Sequence, residues 1–109
     1  MKIWIPLVIV GIVVFSLQLM QTQQAPDYGA QYNSEVILYS TSWCTSCRAT
    51  RQYLTQQGIP YLEFDIEKSS KAYKEHKSLG GRGVPVVLVK GVVIQGYNPN
   101  ALSRAYGGS

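Results

Sequence analysis

The sequence predicts an α/β domain with its elements in the order β-α-β-α-β-β-α. Three observations lead there. Apolar runs of strand length at 36–39, 59–66 and 84–89 alternate with helix-forming stretches at 45–57 and 69–79. The pair Lys90-Gly91 makes a tight turn from the third run into Val92-Val93-Ile94-Gln95, which reads as a hairpin. Cys44-Thr45-Ser46-Cys47 stands where the first apolar run feeds directly into the first helix.

Each element has a local reason. Val36-Ile37-Leu38-Tyr39 is continuously apolar, as a strand buried on both faces would be. Thr45 to Gln57 contains neither proline nor glycine, and Gly58 is placed to cap its end. Ile59 to Ile66 alternates in polarity and reads as a second strand. Ser69 to Leu79 sets Ala72, His76 and Leu79 on one helical face before Gly80. Val84 to Val89 forms the third strand, with Pro85 tolerable only near its start. Asn98 caps a final helix that opens on Pro99 and ends near Gly107.

Length and composition narrow the field. A chain of 109 residues, 46% hydrophobic and 15% charged, holds one ordinary folded domain. The net charge of +4 is scattered and has no arginine-aromatic cluster, so no nucleic-acid partner is expected. Two cysteines are too few for a disulfide framework, and their spacing is that of a redox pair or half a metal site. No internal repeat is visible.

The first 21 residues form a separate unit. Ile3 to Met20 carries no charge, and as a helix it would span roughly 27 Å, about a bilayer core. Lys2 precedes it, whereas Asp27 and Glu35 are the first charges after it, which places the remainder on the extracytoplasmic (periplasmic) side. Residues 1–21 are therefore read as a transmembrane anchor. The competing reading is a cleaved signal peptide with secretion, although Leu19 to Ala25 lacks an A-x-A-like site. A cytoplasm-facing domain of inverted topology is a further alternative. Residues 22–34, polar with Pro26 and Gly29, read as a tether, and 35–109 as the folded domain.

The thiols sit where a helix begins, and there the unpaired N–H groups and positive dipole end favour an anion. The size of that effect matters. A thiol of pKa near 8.5 is only about 3% thiolate at pH 7, whereas one lowered to about 6 is roughly 90% thiolate. Arg48 and Arg51 add positive charge nearby, and Thr45 and Ser46 offer hydroxyls. Cys44 is thus the expected attacking thiolate, and Cys47, facing inward, the thiol that resolves a mixed disulfide.

A strand, then C-x-x-C at a helix start, then Gly83-Val84-Pro85 opening a hairpin, then Gly96-Tyr97-Asn98 before a helix resembles the glutaredoxins, of thioredoxin-like fold. The resemblance covers about 35–107. It implies a four-stranded mixed sheet flanked by helices, here preceded by one transmembrane helix. It also implies a thiol–disulfide oxidoreductase with no bound cofactor, acting on protein disulfides or glutathione adducts, with glutathione as a co-substrate. In the family the Val-Pro backbone pairs with glutathione, which points to Val84 and Pro85. A cis Val84–Pro85 bond beside the thiols would leave the Val84 backbone free for that pairing. Trp43, Thr45, Arg82, Gly96, Tyr97 and Asn98 complete the candidate substrate or glutathione site.

The departures are specific. Thr45-Ser46 replaces the frequent Pro-Tyr, Thr41 stands where a lysine commonly meets a glutathione carboxylate, and Asn98 stands for an aspartate. Trp43 before the first cysteine is similar to thioredoxin, and Arg82 is the candidate substitute cation. These changes weaken the expectation of tight glutathione binding and leave the exchange chemistry intact.

Plainer readings accompany each motif. The cysteine pair could hold copper(I) or an iron–sulfur cluster shared between two chains, or mark a redox-inert module; zinc would want four ligands. His76 reads as a half-buried packing residue. Lys68, Lys71, Lys74 and Lys77 recur every three residues and read as a solvated face, with anionic lipid or an acidic partner as the lesser alternative. Trp43 either covers the thiols or fills a gap beside them.

Overall fold

The computed structural model describes residues 26–107. The most buried strand, β1 (Val36–Ser40), sits inside a four-stranded sheet of order β2-β1-β3-β4. It pairs in parallel with β2 (Leu62–Asp65), matching Ile37 to Leu62 and Ser40 to Asp65. It pairs antiparallel with β3 (Val86–Val89), which returns as β4 (Val92–Gln95). Lys90 and Gly91 both take positive φ, 48° and 85°, as a two-residue hairpin turn of matching twist demands. The mixed sheet is the one anticipated.

Successive β1 side chains point to opposite faces and found two cores. Val36 and Leu38 join Leu54, Ile59, Val87, Val89, Ile94 and Leu102. These come partly from α2 (Thr45–Gln56) and α4 (Pro99–Gly107), which cover that face. Ile37 and Tyr39 join Ala72, Leu79, Val86 and Leu88 beneath α3 (Ser70–Ser78). Ser69 caps α3 by accepting Ala72 N–H at 3.1 Å, and Asn98 Oδ1 caps α4 by accepting Ala101 N–H at 3.0 Å.

Both long helices end in the same way. Gly58 (φ 67°) follows α2, with Gly58 N–H bonded to Thr55 O and Ile59 N–H to Leu54 O. Gly80 (φ 79°) follows α3, with Gly80 N–H bonded to Lys77 O and Gly81 N–H to His76 O. This paired closure needs a left-handed residue, and glycine adopts it without a Cβ penalty. The second strand is shorter than the predicted 59–66. Closure of the helix turns Ile59 into the core, and pairing with β1 starts only at Leu62. The third is shorter too, because Val84 and Pro85 precede the ladder with β1 and β4.

One boundary needs correction. The polar stretch 22–34 was expected to be a tether, yet Asp27 caps a short helix, α1 (Tyr28–Tyr32), that docks on the domain. Tyr32 lies with its ring centroid 5.0 Å from that of Phe64 and donates from its hydroxyl to Glu75 Oε2 at 2.6 Å. Tyr28 shares a 2.6 Å hydroxyl bond with Ser78. Two tyrosines one helical turn apart supply an apolar side that the polar neighbours hide in composition. The domain therefore starts near Asp27 rather than at residue 35. The anchor expected over residues 1–21 lies outside the described residues, and among the described ones no helix is long and apolar enough to cross a membrane.

Glu75 is only 4% exposed and also accepts the Tyr39 hydroxyl at 2.8 Å. Burial, then that hydrogen bond, pushes the Tyr39 phenol up from its ordinary value. Removing the shared acceptor would orphan a fully buried hydroxyl. Glu75→Ala is predicted to cost about 2–4 kcal/mol and Tyr32→Phe about 1 kcal/mol. Urea titration followed by circular dichroism checks the order of the two losses.

Candidate functional site

Cys44 ends the turn after β1 and is the N-cap of α2, with extended backbone at φ −87°, ψ 115°. Its sulfur replaces the usual capping oxygen: Cys47 N–H donates to Cys44 Sγ at 3.1 Å. The sulfur thus sits at the N-terminal end of α2, against its first open N–H groups. Cys44 retains 7% exposure, whereas Cys47 has none. Both are free thiols. Burial, then the hydrogen bond with Cys44, pushes the Cys47 thiol up to about 12. Cys44 thus keeps a small residual exposure beside an N–H donor, and Cys47 is wholly enclosed.

The loop before β3 faces this pair. The Val84–Pro85 bond is cis, and Val84 O lies 3.7 Å from Cys44 Sγ, which donates to it. Among the described residues neither the N–H nor the C=O of Val84 joins a backbone hydrogen bond. An extended chain laid beside Cys44 would find the Val84 N–H free of backbone partners and its C=O held only by the weak contact from Cys44 Sγ. Gly96 N–H donates to Pro85 O at 2.8 Å, which fixes the Gly96 turn against the other side of the proline.

A hollow of about 300 Å³ opens at Trp43 and Val84, the residues next to Cys44 in chain and in space, although neither cysteine lines it. Trp43, Arg82 and Val84 border it together with Thr41. Trp43 is 68% exposed, so it does not fill an interior gap, and its Nε1–H donates to Glu67 Oε1 at 2.9 Å. Thr45 is exposed on the first turn of α2. Gly96, Tyr97 and Asn98 do not border the hollow. The Asn98 side chain is spent on capping α4, which leaves its carboxamide oxygen engaged.

Two expectations change. Arg51 does not offer a free charge to Cys44, because its Nε donates to both Glu63 oxygens, at 2.7 and 2.9 Å. Arg48 is exposed and borders a different hollow with Arg51, Gln52 and Tyr61. His76 is fully rather than half buried, at 3% exposure. The sequence also gave no warning that Glu67, Tyr73, His76 and Lys77 line the thiol-side hollow. The 73, 76, 77 spacing showed a shared helical face. Its orientation toward the thiols came only with the packing of α3 on the sheet.

Comparison with known proteins agrees with this geometry. The glutaredoxin family model matches residues 36–94. The chain belongs to the glutaredoxin family. It is a thiol–disulfide oxidoreductase of thioredoxin-like fold with its C-x-x-C pair at Cys44 and Cys47. The glutaredoxin domain is 34% identical over 68 residues to an uncharacterized glutaredoxin-like 8.6 kDa protein in the rubredoxin operon of Clostridium pasteurianum, covering 62% of this chain and 91% of that one. The glutaredoxin of Archaeoglobus fulgidus superposes with a TM-score of 0.57 at 28% identity, over 65% of this chain and 84% of that one. The glutaredoxin-like NrdH-redoxin of Escherichia coli, itself described by a thioredoxin-like activity profile, superposes at 0.60 with 22% identity, over 63% and 91%.

The raised Cys47 thiol has a definite sign. Burial holds the Cys47 thiol protonated well above the ordinary thiol range. Brief iodoacetamide treatment of the reduced protein at pH 8 should therefore alkylate Cys44 and spare Cys47, as read by peptide mass mapping. Above about pH 8.5 the unfolded chain sheds this proton before the folded one does. Stability of the reduced protein should fall as pH rises toward 12, and Cys47→Ser should flatten that part of the profile.

Proposed function

We propose that Cys44 attacks protein disulfides and, less efficiently, glutathione mixed disulfides, and that Cys47 resolves the adduct. Cys44 thiolate displaces one substrate sulfur, forming a Cys44–substrate disulfide and releasing a substrate thiolate that takes up a proton. Cys47 then loses its proton and attacks Cys44 Sγ. The second substrate thiol leaves, and Cys44–Cys47 remains oxidised by two electrons. The observation that carries this reading is the placing of Cys44 Sγ between the Cys47 N–H at 3.1 Å and Val84 O at 3.7 Å.

Several features favour extended protein chains over glutathione. Val84 offers backbone groups with no backbone partner, Trp43 and Tyr73 give exposed aromatic surface, and the Asn98 side chain is already occupied. Arg82 and Lys77 supply cations at the hollow where Thr41 cannot. Pro85 and the Gly96–Tyr97 turn it contacts form the opposite wall of the substrate channel. In this reading glutathione is a co-substrate, and no resident cofactor takes part.

The location follows from the leader. Residues 1–21 anchor the chain, 22–26 separate it from the membrane, and the domain works on the extracytoplasmic side. A membrane-impermeant maleimide applied to intact cells should label Cys44 of the reduced full-length chain. Labelling only after lysis would reverse the topology.

The chemical proposal has its own test. Cys47→Ser should trap a mixed disulfide on Cys44 that reductant releases, and Cys44→Ser should lower turnover by at least about a thousandfold. A Cys44→Ser protein that kept its rate would sink the assignment. Comparing turnover of an insulin-type protein disulfide with that of a small glutathione mixed disulfide gives the preference, expected to favour the protein.

A further inference from the structure

The segment that delivers Val84 to the thiols is a weak place in the chain. Gly80, Gly81 and Gly83 fall within four residues, and glycine loses more conformational freedom on ordering than any other residue. His76 grips this segment twice. Its backbone carbonyl accepts Gly81 N–H at 2.9 Å, as part of the turn that closes α3. Its side chain then reaches past Arg82, where Nε2 lies 2.7 Å from Gly83 O. A carbonyl oxygen only accepts, so Nε2 carries the hydrogen.

The fit around the ring is close. A Cβ on Gly81 would come within 2.5 Å of both Cε1 and Nε2 of His76. The ring thus requires glycine at 81, which in turn leaves the segment loose without the ring. Packing alone does not explain a histidine here. Its Nδ1 is buried with no partner among the described residues, and burying an unpaired polar atom costs free energy that leucine would avoid. What leucine could not supply is the bond to Gly83, the residue next to Val84.

We propose that His76 is a positioning residue for disulfide exchange: through Gly83 O it holds the Val84 backbone at the register that meets a substrate chain bound to Cys44. This rests on the reading above in which Val84 pairs with the substrate. His76 touches neither sulfur in that scheme. Its effect falls on substrate binding, since Cys44 keeps its cap from Cys47 N–H whatever the Gly83 segment does.

The test uses the reduced full-length chain with His76→Leu, His76→Gln and Gly81→Ala. Glutamine reaches as far as Nε2 and keeps an N–H donor. For a protein disulfide, His76→Leu and Gly81→Ala should raise KM about five- to tenfold, the value of one good hydrogen bond, with kcat changed less than about twofold. His76→Gln should stay within about threefold of the parent. Iodoacetamide alkylation of Cys44, which needs no backbone pairing, should be unaffected in all three. Order parameters of Gly83 and Val84 from nitrogen-15 relaxation should fall below about 0.6 in His76→Leu and recover in His76→Gln. Unchanged KM and unchanged order parameters in a folded His76→Leu would overturn the proposal, as would equal losses in the leucine and glutamine variants. A parent chain that turned over no disulfide would instead defeat the functional reading, and the relaxation data would still decide whether His76 holds the segment.

Discussion

The hydrogen bond from Cys47 N–H to Cys44 Sγ is the constraint on which the site depends. It makes one sulfur the cap of a helix and the backbone of the other its donor. Helix formation, thiol placement and the order of the two cysteines therefore cannot be separated. β1 enforces the arrangement from behind. Its five residues are all buried, so the chain leaving Ser40 has little freedom in where it delivers the turn. Cys47 lands beneath the surface because it is one turn into a helix whose inner face also buries Thr50 and Leu54.

The opposite wall comes from far along the chain. Val84 and Pro85 arrive beside Cys44 because β3 pairs antiparallel with β1, so that the start of β3 lies next to the end of β1. That pairing brings the Val84 backbone, with no backbone hydrogen bonds of its own, against Cys44 Sγ. The loop carrying it is built from small residues and takes its order from α3, mainly through His76. Helix α3 thus closes one core and holds one wall of the site.

The same helix also secures the N-terminal end of the domain. Glu75, one residue before His76, accepts hydroxyls from Tyr32 of α1 and Tyr39 of β1. A buried carboxyl with two phenolic donors is stable only if every partner is in place, which makes it a register pin for α1. Adjacent positions on α3 therefore face two tasks: Glu75 ties down α1, and His76 steadies the segment that carries Val84.

Local rules made much of this legible in advance. Apolar runs, the two left-handed glycines after α2 and α3, the Lys90-Gly91 turn and the Asn98-Pro99 start are signals within a few residues of one another, and all are where they were read. So is the thiol pair at a helix start. Polar composition hid α1, because two tyrosines among glutamines and asparagine give no periodic run. The wall formed by Tyr73, His76 and Lys77 was also hidden, since helical spacing tells which residues share a face and not what that face meets. The sequence by itself determined every element after α1, their order and the thiol pair at Cys44 and Cys47, because backbone preference and side-chain reactivity are short-range. Only the tertiary structure decided which backbone lies against the sulfur and which buried polar atoms lack partners, because strand pairing joins residues some forty positions apart and no local pattern encodes that meeting.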